Sequence, residues 1–212
     1  SFTSFWNTSG ASIVGNIIER SCQGLSLVGS SSNTVSGNTI RNMKNAAVQA
    51  DGSHNTFRDN NIYNVWEFGI NVNNSEDCLV EENIIMNLMG ERAAISVGGT
   101  SHSVKDNNIS DCGLGIRIGN GHIATGNTIK NCLLGLEIGW DNSHVEGNSI
   151  SNCTVGVDLS GATHTFVGNV ISKCETGLTL AMGSSENVLY HNNFLNNTLQ
   201  AEDAWSNHWD HN

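Results

Sequence analysis

Proline is absent from the 212 residues, and positive charge is scarce: nine Lys and Arg stand against twenty Asp and Glu, a net charge of −11. That balance argues against a nucleic-acid partner, whose phosphates need basic side chains. It argues equally against an anionic membrane surface. No apolar run approaches the roughly 20 residues that a membrane-spanning helix needs, so no membrane insertion is expected. The six cysteines include no CxxC pair, so no zinc framework can be read. Regular Thr-x-Thr rows are missing too, which removes an ice-binding face. No signal peptide is visible and the first residue is Ser1, so the expectation is a mature or excised piece whose address is not written in it. Asn, Gly and Ser abound. Such a composition alone would permit disorder, but it is organised as a strict repeat.

One Asn recurs with Ile or Phe two residues later: Asn16, Asn38, Asn60, Asn83, Asn107, Asn127, Asn148, Asn169 and Asn192, at spacings of 20 to 24 residues. An apolar residue lies three positions before each. About nine to twelve residues after each comes Gly or Ala and then an apolar-x-apolar triplet, as in Leu25-x-Leu27, Ile95-x-Val97 and Leu136-x-Ile138. Each segment alternates with period two, the mark of a strand with one face buried. Strands this short cannot stand alone, so three of them make one coil and the coils stack. The expected fold is all-β: a right-handed, single-stranded parallel β-helix of about nine rungs with three short strands each. Right-handed winding is the strong preference of parallel crossovers. Residues 1–212 read as a single domain, with 195–212 as a C-terminal cap in which Trp205 and Trp209 fold over the last rung.

The recurrent Asn has a structural task. It sits where the chain bends between strands, with Gly or Asp before it in most rungs, and stacked Asn side chains can hydrogen-bond as a ladder. No chemistry is assigned to these residues.

The run Asn33-Thr34-Val35-Ser36-Gly37-Asn38-Thr39-Ile40 resembles the repeat of the pectin-lyase-like superfamily. It is most similar to the NosD-type, or carbohydrate-binding and sugar-hydrolysis, family. The tail His191-Asn192-Asn193-Phe194-Leu195-Asn196-Asn197-Thr198, followed by Trp205 and Trp209, resembles the end of NosD-type domains. The resemblance implies an extracellular, cell-surface or periplasmic protein that handles polysaccharide or glycan. Sites in such folds lie on the outer face of one sheet and its flanking turns.

Cys112, Cys132, Cys153 and Cys174 share the position five after the ladder Asn, where other rungs carry Met43, Val65 and Leu88. They read as a buried apolar stack of free thiols, with inter-rung disulfides or a soft-metal site as alternatives. Cys22 is one residue out of phase, and Cys78 has no place in that column. His102, His122 and His164 share the position five before the ladder Asn, where Asn33 and Asn55 stand elsewhere. They are expected to be solvated turn residues. A metal site on this row is the alternative, and the resemblance names copper as its metal.

The middle residue of the apolar-x-apolar triplet points outward. It reads Ser26, Gln49, Asn71, Ser96, Arg117, Glu137, Asp158 and Thr179. Neighbours in this column stand one rung apart, about 4.8 Å. Arg117, Glu137 and Asp158 therefore form a charged trio, and Trp140 follows at the edge. Sugar hydroxyls need closely spaced donors and acceptors, and a pyranose ring can lie on an aromatic face. The expected substrate-binding strip is Asn71, Ser96, Arg117, Glu137, Trp140 and Asp158. The leading function is a glycan-binding or structural surface module that needs no cofactor. A polysaccharide lyase, epimerase or glycoside hydrolase using Arg117, Glu137 and Asp158, with Ca2+ as a possible cofactor, is the alternative. Five Asn-x-Ser/Thr sequons, at Asn7, Asn73, Asn108, Asn152 and Asn196, are what chance delivers in so Asn-rich a chain. Phe2, Phe5 and Trp6 lack a helical period, so no capping helix is expected. The N-terminal edge is read as a surface for an adjoining domain or for end-to-end self-association.

Overall fold

The computed structural model describes residues 3–203 and 205–212. Among these residues 29 short strands sort into three wholly parallel sheets of ten, ten and nine strands, with no helix. The first sheet starts at Thr3–Trp6 and ends at Leu199–Asp203; it carries the apolar-x-apolar triplets. The second runs from Ser12–Val14 to His208–Asp210. The third runs from Ile17–Glu19 to Asn193–Leu195. Every strand pairs with its copy in the adjacent rung, one repeat away. The protein is thus a parallel β-solenoid of about nine turns with three strands per rung.

The inward residues are those the period singles out. Ile40, Ile62, Ile85, Ile109, Ile129, Ile150 and Ile171 are fully buried, and so are Val35, Phe57, Val80, Val104, Val145 and Phe166. Each such side chain removed from water contributes about 1.5–3 kcal/mol. Their register is in phase, Ile109 pairing with Ile129 and Ile129 with Ile150.

Beside this core runs the ladder. Each Asn amide donates from Nδ2 to the Oδ1 of the next, from Asn16 to Asn38 at 3.0 Å and onwards to Asn192. From Asn38 onwards each also donates Nδ2 to a carbonyl of the preceding rung's strand, as Asn148 does to Ala124. A tenth member, Asn212, accepts from Asn192 at 2.8 Å. The left-handed bend falls on the residue before the ladder Asn rather than on the Asn itself: Gly15, Gly37, Asp59, Glu82, Asp106, Gly126, Gly147, Gly168, His191 and His211 all have positive φ. The Asn is thereby left free to spend both amide groups on neighbouring rungs.

A second ladder occupies the corner between the first and second sheets. Here the structure corrects the expectation of solvated histidines: His102, His122 and His164 are buried. The column needs an acceptor for the backbone N–H of the rung before. Asn33, Asn55, Asn187 and Asn207 supply Oδ1. The three histidines supply Nδ1, accepting from the N–H of Cys78, His102 and Ser143 at 3.0–3.2 Å. An imidazole thus substitutes for a carboxamide, and Cys78 stands in this same column.

The four stacked thiols are buried and free. Alkylation of the native protein is expected to leave Cys112, Cys132, Cys153 and Cys174 unmodified while the exposed Cys22 reacts. Peptide mass spectrometry after labelling with and without denaturant checks this, and rapid native labelling of the four would contradict the packing.

At the C-terminal end the chain adds two strands instead of folding a plug across the rung. Trp209 stands within the second sheet against Phe194, with ring centroids 6.2 Å apart, and its Nε1 donates to Asp203 at 2.7 Å. Trp205 is exposed. At the other end Phe5 packs on the core and Trp6 is exposed. Phe2 lies outside the described residues.

Candidate functional site

The outward column of the first sheet is in the expected register. Gln49 pairs with Asn71, Asn71 with Ser96, Ser96 with Arg117, Arg117 with Glu137, and Glu137 with Asp158. The column is not uniformly solvated. Asn71 and Ser96 are buried, whereas Arg117, Glu137 and Asp158 are half-buried.

The cause is local strand length. Most strands of this sheet have four or five residues, but Ile70–Glu76 has seven and Ala93–Thr100 has eight, with a bulge between Val72 and Ser75. These rungs also have the long repeat spacings in sequence. The extra length raises a wall beside the column and encloses a groove of about 620 Å³. Asn71, Ser96, Arg117, Glu137 and Trp140 all line it. Asp158, one rung further on, does not. The groove also gathers Phe68, Asn73, Asn120 and His122, which the outward column could not reveal: Asn73 lies further along the lengthened strand Ile70–Glu76 and the others lie outside the strands. Arg92 lies over the Phe68 ring at 5.6 Å.

Arg117 and Glu137 are an ion pair. Nε and Nη2 of Arg117 both donate to Oε2 of Glu137, at 2.9 and 2.8 Å, so Oε1 keeps its acceptor capacity. Asn71 donates Nδ2 to Gln49 Oε1 at 2.9 Å. The Asp158 carboxyl is held above its ordinary pKa, first by burial and then by the negative charge of Glu137.

Trp140 is 77% exposed, yet its backbone is fixed in the left-handed region. The holder is His164, whose Nε2 lies 2.9 Å from the Trp140 carbonyl and 3.1 Å from that of Ser160. Because His164 Nδ1 accepts a backbone N–H, Nε2 carries the proton and donates. Gly161 passes so close beneath that a Cβ there would meet the Trp140 carbonyl oxygen. The indole is thus presented on a locked support beside the groove.

His102 and His122 stack with centroids 4.8 Å apart. Burial lowers both pKa values, that of His122 to about 4, so both are neutral near pH 7. Their Nδ1 atoms are occupied as acceptors, which places the proton on Nε2, and these buried Nε2 atoms have no hydrogen-bond partner among the described residues.

A family model described as periplasmic copper-binding protein (NosD) matches residues 1–131 and 69–212. The chain belongs to the NosD family. Its fold is similar to that of the Azotobacter vinelandii mannuronan C-5 epimerase AlgE6 A-module, with a TM-score of 0.66 at 14% identity over 94% of this chain and 62% of that one. The catalytic domain of a GH87 α-1,3-glucanase in complex with nigerose aligns over 97% of this chain and 63% of its own, with a TM-score of 0.44 at 12% identity. The NosD-family chain thus spans less than two thirds of either structure. No curated protein matches it.

The histidine column does not fit the copper that the family description names. All three Nδ1 lone pairs accept backbone N–H groups, and in that tautomer Nε2 has no lone pair to give. No group of three or more His, Cys, Asp or Glu side chains able to hold a metal occurs among the described residues.

Proposed function

We propose that this NosD-family solenoid is a periplasmic or extracellular module that binds a polysaccharide chain along the groove of the first sheet, without turning it over. The observation that carries the reading is the groove itself. It places a stacking surface, Trp140, beside closely spaced donors and acceptors, namely Asn71, Ser96, Arg117 and the free Oε1 of Glu137. Aromatic faces and polar clusters of this kind suit sugar rings and hydroxyls. The polysaccharide chemistry named for the epimerase of like fold is in keeping with it. A screen against neutral and anionic glycans, with hits assayed for new reducing or unsaturated ends, tests the proposal. Binding without product is the expected result. Absence of binding across both classes would contradict it.

A second reading is an enzyme acting on the same chain. The raised pKa of Asp158 beside Glu137 favours it, since two carboxyls about one rung apart can divide acid and base roles. In that reading Arg117 steadies the substrate, and Ca2+ would assist with an acidic polymer. Product in the same assay, lost in Asp158→Asn, selects this reading over the first.

A further part of the proposal concerns the N-terminal edge. Trp6, Val14 and Ile17 are exposed there, at 67%, 58% and 70%. End-to-end self-association at this edge should strengthen with salt, because screening weakens the repulsion between chains of net charge −11. Sedimentation across a salt series checks it, and a monomer at every salt concentration would oppose it.

A further inference from the structure

Three glycines stand on successive rungs of the first sheet, each directly after its apolar-x-apolar triplet. They are Gly98, Gly119 and Gly139, and all line the groove. Other rungs carry Val28, Asp51, Ser160 or Ala181 at this position. None of the three has a positive φ, so the backbone conformation does not call for glycine. Nor does packing. Beyond the adjacent residues, a Cβ on Gly98 would come no nearer than 3.5 Å to another atom, and one on Gly139 no nearer than 3.9 Å. Only Gly119 is tight, where a Cβ would stand 3.3 Å from Cδ1 of Trp140. The bare backbone therefore keeps a hollow beside the indole that the fold itself does not fill.

A polar atom faces this hollow. His122 is fully buried and lines the groove, and its Nε2 lies 3.8 Å from the place a Gly119 Cβ would take. Nδ1 of His122 accepts the His102 N–H at 3.2 Å, so Nε2 carries the proton, and no described residue accepts it. A buried donor without an acceptor is costly, and its pairing by a ligand is correspondingly selective. One rung away an acceptor is present: Asn73 Oδ1 stands 3.5 Å from the place of a Gly98 Cβ.

The ligand group that suits this hollow accepts from His122, has a small apolar part for the glycine floor, and brings no negative charge. A hydroxyl accepts, but it adds a proton of its own that must also be placed. A carboxylate only accepts. However, Arg117 is already paired with Glu137, and a chain of net charge −11 repels a polyanion. An acetamido group meets every requirement. Its carbonyl accepts, its methyl lies on bare backbone beside Trp140, and its N–H has Asn73 Oδ1 or the free Oε1 of Glu137 to receive it. We propose that the groove selects a polysaccharide of N-acetylated amino sugars, with one acetamido group seated on Gly98, Gly119 and Gly139 and its carbonyl held by His122 Nε2. This rests on the reading of the groove as a glycan site and names the class of sugar it takes. Nε2 is shielded from solvent in the free protein, so the acetamido group reaches it as the exposed Trp140 side chain gives way.

The test is isothermal titration with three β-1,4-linked tetramers, of N-acetylglucosamine, glucose and glucuronate. The acetylated tetramer is expected to bind about tenfold or more tightly than the other two, the scale of one hydrogen bond to an otherwise unpaired buried donor. His122→Asn keeps an acceptor in the ladder, as Asn33 and Asn55 do, but removes the Nε2 donor. It should weaken the acetylated tetramer about tenfold and leave the glucose tetramer unchanged. Gly119→Ala fills the hollow without touching the ladder and should erase the same preference, so it carries the test should His122→Asn not fold. Melting temperatures establish that each variant is folded. Trp140→Ala, by contrast, should weaken both sugars alike, because it removes the stacking face and not the acetamido seat. A glucose or glucuronate tetramer bound as tightly as the acetylated one, or folded variants that keep the parent's preference, would overturn the acetamido site and leave the groove standing as a glycan site. Failure of the acetylated tetramer to bind overturns it too, and the wider glycan screen then decides whether the groove reading falls with it.

Discussion

Ile129→Asp is expected to unfold the protein. Ile129 is fully buried in the third sheet, between Ile109 and Ile150 in the stacked core column. A carboxylate there would lose its hydration with no cation or hydrogen-bond donor to receive it. Burying a carboxyl without a partner costs several kcal/mol even after it takes up a proton, and losing the Ile129 packing adds about 2–5 kcal/mol, together comparable with the roughly 5–15 kcal/mol of stability a domain has. The damage would also spread, because a solenoid is held rung to rung and a broken central coil separates two stacks. Thermal unfolding followed by far-ultraviolet circular dichroism checks the outcome. A cooperative melt close to that of the parent protein would contradict the assignment of this column to the core.

Acid is expected to destabilise the fold through the histidine ladder, over the window from about pH 6.5 down to about 4. In the unfolded chain an imidazole takes up its proton near pH 6.5. In the fold, burial lowers the pKa of His102, His122 and His164, with His122 at about 4. The unfolded state therefore binds more protons within this window, so stability falls as pH falls. For His122 alone the loss reaches roughly 3 kcal/mol once pH is below both values. The mechanism is specific, because a protonated Nδ1 can no longer accept the backbone N–H of the preceding rung. Asn performs the same acceptance elsewhere in the column without titrating. His122→Asn should thus keep most of the stability at pH 7 and flatten the decline of Tm between pH 6.5 and 4. An unchanged pH profile in that variant would remove His122 from the account of acid sensitivity.

The repeating features of the fold were legible because they recur with one chemistry. Nine Asn residues with Ile or Phe two positions later revealed the ladder, the core column and the register of the outward strip from Gln49 to Thr179. The second ladder was hidden for the opposite reason. Its Asn and His members accept one backbone N–H through Oδ1 or Nδ1, while Ser143 and Cys78 in the same column donate instead to the carbonyls of Gly119 and Gly52. An imidazole accepting through Nδ1 does not look like a carboxamide in one dimension. The groove was half legible. Its residues Asn71, Ser96, Arg117, Glu137 and Trp140 follow from the column and its edge. Its limits do not, because they depend on two lengthened strands and a bulge that raise a wall beside some rungs and not beside Asp158. The locked backbone of Trp140 rests on His164, which lies 24 residues away and one rung below.

The central claim is that a glycan lies in the first-sheet groove against Trp140, and the most direct measurement is its affinity before and after Trp140→Ala. The indole is largely exposed and its side chain supports no core contact, so the alanine variant should melt as the parent does. Isothermal titration with the glycan selected in the screen should show binding weakened by about 1–3 kcal/mol, the scale of stacking on an aromatic side chain, or about 5- to 150-fold in Kd. An affinity unchanged in a folded Trp140→Ala protein would contradict the claim and move the glycan off this groove.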